Sequence, residues 1–314
     1  MDKKIGYIFP GQGAQYVGMG QDLYQEFDRA KQIFDRAKEA LGLDLAKICF
    51  SGPQDELTKS AICQPAILTL SIAAYEVLNS NFKQIGLKPS ACAGLSLGEY
   101  AALVACGSLQ FEDALRLVHK RGQFMDEASS SNPGTMSCIL GLEPDVVKNI
   151  CQKAQVEIAN LNCPGQVVIS GSHANIQKAH DLAKEMGAKR IIGLNVSGPF
   201  HCSLMAQAAQ RLTHELEGVD ISRPQIKFCP NVTADYAQEP IQIKELLIRQ
   251  VAHTTFWQDC VLKMKHDGIA TYLEIGPGKV LKGLLQRIDQ GLEVINLEKV
   301  ADFFNLEQKL GGGL

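Results

Sequence analysis

Ser96 has the setting of a nucleophile. It stands at the centre of Gly94-Leu95-Ser96-Leu97-Gly98, with a small apolar run at 91–93 before it and a helix-forming run at 99–106 after it, which Gly107 can end. A bare G-x-S-x-G recurs by chance, but strand, sharp turn and helix in that order give it meaning. The serine then sits in a strained elbow with its hydroxyl exposed, and the glycines let strand and helix pass close to each other. The helix N-terminus beneath it offers unpaired N–H groups to an oxyanion.

A serine hydroxyl needs a base at neutral pH, and histidine is the usual one. Among the seven histidines, His119, His180, His214 and His266 fall within helices beside polar neighbours and are expected to be solvated. His173 falls at a helix start and His253 in a polar loop. His201 alone follows an apolar pair, Pro199-Phe200, at a junction between domains, where clefts form. Asp113, Asp126, Asp145 and Asp181, the aspartates between Ser96 and His201, read as exposed helix residues. A Ser–His dyad, its imidazole oriented by an amide or a backbone carbonyl, is therefore expected in place of a triad. Arg121 is the third notable side chain. On a helix over about 111–128 it projects between Leu117, Val118 and Met125, on the flank of the apolar face. A charge so placed needs a partner. A structural ion pair, a side chain snorkelling to water, and a guanidinium waiting for a carboxylate ligand all remain open.

Several elements must position these groups. Residues 5–9 read as a buried strand running into Pro10-Gly11-Gln12-Gly13-Ala14-Gln15, a loop whose backbone must approach something closely. The Lys-Ser/Thr of a P-loop is missing and the G-x-G-x-x-G spacing is not met. A loop lending a second N–H to the oxyanion site is the better reading. Residues 19–41 read as one amphipathic helix, and Pro65 as the first residue of a largely apolar helix to about 77. From 134 the order becomes strand (135–140), helix (144–154), two strands (156–159 and 167–170) joined by a loop, helix (174–186), strand (190–196). That is the ferredoxin-like βαββαβ unit. Strands at 226–229, 271–275 and 294–297 then alternate with helices. The expectation is an α/β fold: a hydrolase-like large domain (1–127 and 198–314) with a mostly parallel sheet, and an inserted small ferredoxin-like domain (128–197).

Composition sets the outer bounds. The 314 residues are 46% apolar and 21% charged with a net charge of −3, which gives no reason to expect nucleic acid or a membrane surface as partner. No apolar stretch is seen to approach the about 18 residues of a spanning helix, and the apolar part of the N-terminal segment is too short for a signal peptide. Ten cysteines without a C-x-x-C pair point to buried, reduced thiols in a cytoplasmic setting, with no metal. The run Gly311-Gly312-Gly313 reads as a loose end.

Taken together the motifs resemble the malonyl-CoA:acyl-carrier-protein transacylase family. Phe9-Pro10-Gly11-Gln12-Gly13, Gln64-Pro65-Ala66, residues 94–100, Arg121-Gly122, 160–165, 198–201, Arg249-Gln250 and 274–279 appear in the family's order over nearly the whole chain. The resemblance implies transfer of a malonyl group from malonyl-CoA to the phosphopantetheine thiol of acyl carrier protein, in fatty-acid biosynthesis, with no cofactor. It implies Ser96 as acyl acceptor, His201 as base, and Gln12 and Leu97 as backbone oxyanion donors. Arg121 would anchor the malonyl carboxylate, and Gln250 would orient His201 through its carbonyl. Asn160 and Asn162 would line the cleft, and Phe200 fits malonyl-selective members. The implied enzyme is expected to be a cytoplasmic monomer. Leu95, Cys202 and Thr254-Thr255-Phe256 depart from the family pattern, at the pocket wall. The rival reading is a serine hydrolase using the same dyad with water as acceptor.

Overall fold

The described residues build two sheets. The computed structural model describes residues 4–310; the 311–313 glycine run and the first three residues lie outside the described residues. The strands are β1 (Ile5–Phe9), β2 (Pro89–Gly94), β3 (Gly134–Leu140), β4 (Glu157–Cys163), β5 (Gln166–Ser172), β6 (Arg190–Gly193), β7 (Lys227–Cys229), β8 (Thr271–Ile275) and β9 (Glu293–Leu297). One sheet has the order β7-β2-β1-β8-β9 with every pairing parallel. β1 at its centre is buried at every position, which is why it is written as the unbroken run Ile-Gly-Tyr-Ile-Phe. The second sheet, β4-β5-β3-β6, is antiparallel throughout. One of its faces, through Met136, Cys138, Ala159 and Val168, shares the main core. A separate core of Ile139, Val147, Ile150, Val167, Ile169, Ile176 and Ala179 lies under the helices Pro144–Ala154 and His173–Glu185.

Local order departs from expectation in several places, each for a physical reason. The 19–41 helix is two, Gln21–Glu26 and Asp28–Leu41. Between them Phe27 is extended (φ −120°, ψ 117°) and puts its ring 6.1 Å from those of Phe82 and Phe303. Pro65 does not start its helix, which runs Ser60–Asn81 with the proline inside. A proline there cannot donate to Ala61 O. His119 Nδ1 donates to that oxygen instead, at 2.8 Å. Gly122 makes the approach possible, since a Cβ on it would lie 2.4 Å from Ser60 O. His119 is therefore half-buried and bonded where solvation was expected. The same is true of His180, whose Nε2 pairs with Ser137 Oγ at 2.8 Å.

The Ser60–Asn81 helix also corrects the reading of apolar runs. Its 22 residues are long and apolar enough to span a membrane by length and composition, yet 78% of that window is buried inside the molecule. The loop expected at 160–166 is mostly strand, turned tightly at Pro164-Gly165, where Gly165 has φ 68°. The strand expected at 190–196 ends at Gly193. All ten cysteines are free and buried, as their scatter suggested.

Candidate active site

The elbow has the predicted form. β2 turns at Ser96 (φ 49°) into the helix Gly98–Ala105. Its glycines are required by contact: a Cβ on Gly94 would lie 1.9 Å from the Gly98 carbonyl carbon, and one on Gly98 would lie 2.2 Å from Phe9 O. The 10–15 loop comes equally close, because a Cβ on Gly11 would meet Leu95 O at 2.4 Å. Leu95 N–H donates to Phe9 O at 3.1 Å, tying the end of β1, from which that loop departs, to the elbow.

Ser96 Oγ lies 2.9 Å from His201 Nε2, and His201 Nδ1 lies 2.7 Å from Gln250 O. A carbonyl only accepts, so Nδ1 carries the proton and Nε2 is free to accept from the serine. His201, at φ 59°, shares the left-handed conformation of Ser96, a strain of the kind that collects at functional sites. None of the four aspartates is bonded to the imidazole. Asp126 accepts from Ala61 N–H and Ser197 Oγ instead, so it is a structural tie rather than a free surface residue.

Burial, seconded by the Arg121 charge, pushes His201 down to about 4, against the pull of the Gln250 and His253 backbone. The base is thus neutral throughout the physiological range. The acid limb of kcat/KM is expected near pH 4 instead of the ordinary histidine value of about 6.5. The folded pKa lies below the unfolded one, so this group's share of stability is present above about 6.5 and lost as pH falls towards about 4. A pH profile of acyl loading and a pH series of thermal midpoints check both.

Arg121 is 2% exposed and makes no salt bridge among the described residues, so neither the ion-pair nor the snorkelling reading holds. Nη1 donates to Gln64 Oε1 (2.7 Å); Nη2 donates to Ser96 Oγ (3.0 Å) and Gln250 Oε1 (2.9 Å). Nε has no hydrogen-bond partner among the described residues. Burial lowers its pKa, opposed by Tyr100 and Glu99.

Sequence reasoning missed three residues that hold this site together. Asn231, just after β7, accepts from Ser96 N–H (2.6 Å) and donates through Nδ2 to Gly94 O (2.8 Å), clamping both sides of the elbow. Glu99 is fully buried and accepts from Asn231 N–H and from Gln250 Nε2. Gln64 holds Arg121. The signal for Glu99 was present: it is the one charged residue of a short helix whose other residues are small or apolar. Gln64 was marked only as part of the Gln64-Pro65-Ala66 motif, with no role attached, and nothing local marked Asn231.

The remaining candidates are placed as follows. Ser96 N–H is spent on Asn231, whereas the Gln12 and Leu97 N–H groups donate no described hydrogen bond. Asn160, on β4, gives Nδ2 to Thr255 Oγ1 at 2.5 Å. Asn162 Oδ1 is buried without a hydrogen-bond partner among the described residues. Phe200 is buried directly before His201. None of Asn160, Asn162 and Phe200 is hydrogen-bonded to Ser96, His201 or Arg121 in the described structure. Cys202 gives Sγ–H to Pro199 O at 3.1 Å. Among the described residues no group of histidine, cysteine and carboxylate side chains could hold a metal ion.

An elbow serine, a neutral imidazole oriented by a carbonyl, and a parallel sheet beneath them define a serine acyltransferase or hydrolase. The Acyl transferase domain family matches residues 6–301. The malonyl CoA-acyl carrier protein transacylase of Bacillus subtilis (strain 168) is 45% identical over 297 residues, 93% of this chain and 92% of that protein. The solved transacylase of the same name from Coxiella burnetii superposes with a TM-score of 0.94 at 36% identity, covering 98% of each chain. A further structure, described as a type II PKS acyl-carrier protein in complex with its malonyl-transacylase, gives 0.93 at 38% identity over 96% of this chain and 98% of that one. The chain belongs to the malonyl CoA-acyl carrier protein transacylase family.

Proposed function

We propose that this enzyme is an acyl-carrier-protein S-malonyltransferase that works through a malonyl-serine intermediate. His201 Nε2 takes the Ser96 proton as Oγ attacks the thioester carbonyl, and the N–H groups of Gln12 and Leu97 hold the oxyanion. The C–S bond breaks and the departing CoA thiolate takes the proton back from His201. The phosphopantetheine thiol of acyl carrier protein then gives its proton to His201, attacks the malonyl ester, and leaves Ser96 reprotonated. Gln250 O keeps the imidazole in the required tautomer throughout. Arg121 anchors the malonyl carboxylate, and Asn160, Asn162 and Phe200 line the cleft.

The observation that carries the reading is a cation buried beside the nucleophile and hydrogen-bonded, among the described residues, to amide and hydroxyl oxygens and to no carboxylate. A hydrolase of neutral esters has no use for it. A carboxylate-bearing acyl group does. The organisation proposed with it is a catalytic part at 1–127 and 198–314, hydrolase-like, with 128–197 as an inserted unit. The strand order β4-β5-β3-β6 supports the ferredoxin-like reading of that unit. A monomer acting in cytoplasmic fatty-acid biosynthesis, without nucleic-acid or membrane partners, completes the proposal.

Incubation with malonyl-CoA, followed by intact mass and peptide mapping, tests it. A single malonyl adduct on Ser96 that survives in water and is discharged by a carrier thiol is expected. An adduct on a cysteine such as Cys92 or Cys202 would sink the serine route. Rapid loss of the adduct in water without thiol would favour the hydrolase.

A further inference from the structure

Gln250 is engaged at both its main chain and its side chain. Its main-chain oxygen holds His201 Nδ1, its Oε1 accepts from Arg121 Nη2, and its Nε2 donates to Ser96 O (2.9 Å) and to Glu99 Oε2 (2.6 Å). An amide in this position has two ends, and only one orientation works. With Oε1 towards Arg121 an acceptor meets a donor; reversed, the NH2 would meet the guanidinium donor to donor. The groups around Gln250 decide between the two.

Glu99 is the strongest of them. It lies in the first turn of the serine helix and is fully buried. Both of its oxygens face donors, the backbone N–H of Asn231 and Nε2 of Gln250. Burial pushes its carboxyl up, while those donors and the Arg121 charge oppose the shift. The helix itself packs without Glu99, through Tyr100, Ala101, Ala102 and Leu103. A buried acid in an otherwise apolar helix is costly, and packing gives no reason for it.

We infer that Glu99 is a positioning residue: by presenting acceptors to Asn231 and Gln250 it fixes which end of the Gln250 amide meets Arg121, and so presets the guanidinium for a carboxylate-bearing acyl group. The inference rests on the malonyl-transfer reading above. Glu99 touches no reacting atom. It acts through the Gln250 side chain, whereas His201 is held by the Gln250 main chain, and the two duties are therefore separable.

Glu99→Gln keeps the shape and replaces one acceptor by a donor, so at least one of its two contacts becomes donor against donor. The measurement is single-turnover loading of Ser96 from malonyl-CoA and from acetyl-CoA, followed by intact mass. Loading from malonyl-CoA is expected to slow by about tenfold to a hundredfold, the effect of one buried donor left without its acceptor. Loading from acetyl-CoA needs only the dyad and is expected to change by less than about threefold, so the preference for malonyl collapses. In the Gln250→Met background the same substitution should have no additional effect on the malonyl to acetyl ratio, because the intermediary amide is gone.

An equal fall for both thioesters, or an additive effect in the double variant, overturns the positioning role. Should Glu99→Gln not fold, Glu99→Asp decides: it keeps an acidic group but draws it back from Gln250 Nε2, so the malonyl to acetyl loading ratio is expected to fall, and an unchanged ratio overturns the inference. Wild-type protein run alongside separates the two claims. If it takes no malonyl group on Ser96, the transfer reading fails; if it does, only the role of Glu99 is at stake.

Discussion

Ser96→Ala is expected to abolish the covalent malonyl adduct and to cut transfer by about four to six orders of magnitude. The fold should survive. The elbow is pinned through backbone groups, Ser96 N–H and Gly94 O, by Asn231, and neither contact involves the hydroxyl. Alanine does lose the two Oγ contacts, to His201 Nε2 and from Arg121 Nη2. Intact mass after incubation with malonyl-CoA reads the adduct, and a thermal midpoint near that of the parent protein confirms that chemistry alone was removed. An adduct of unchanged yield in the variant would move the acyl group to another side chain.

Arg121→Ala is expected to invert acyl selectivity. In a dry site the guanidinium and a malonyl carboxylate form a bidentate pair. Removing one partner of such a pair costs roughly 2–5 kcal/mol, or about one and a half to nearly four orders of magnitude in rate. Acetyl has no carboxylate to lose, so its transfer should hold or rise. Arg121→Lys should recover part of the malonyl rate only, since an ammonium cannot reproduce the fork that reaches Gln64 and Gln250 together. The measurement is kcat/KM for both thioesters on each variant. If the two fall in the same proportion, Arg121 is holding the fold and not the substrate.

The elbow was legible in the sequence because the conformation demands glycine at fixed offsets from the serine, and chain chemistry of that kind is local. His201 was legible through the apolar pair Pro199-Phe200 directly before it at the expected junction between domains. The Ser60–Asn81 helix was misread at Pro65 because the compensation comes from His119, 58 positions from Ala61 in the chain but 2.8 Å from its carbonyl oxygen in space. Arg121 could be seen to face inward, but not what it faced. Gln64, Asn231 and the Gln250 side chain are ordinary polar residues in their own segments, and only the packing of four separate stretches makes them a network. Phe27 shows the same limit in the core, where an aromatic cluster overrides helical periodicity.

The bridge at Thr255 bears on solubility. β4 is a rim strand of the antiparallel sheet, and an open rim of N–H and C=O groups is a template for another chain. Thr255 occupies it as a borrowed one-residue strand: its N–H donates to Ala159 O and its O accepts from Leu161 N–H, each at 2.9 Å. The opposite rim, β6, is four residues long. In the parallel sheet the outer strand β7 has three residues and is capped by Ala237 against Phe228. These rims are therefore short or covered, which leaves them little capacity to recruit a second copy by strand addition.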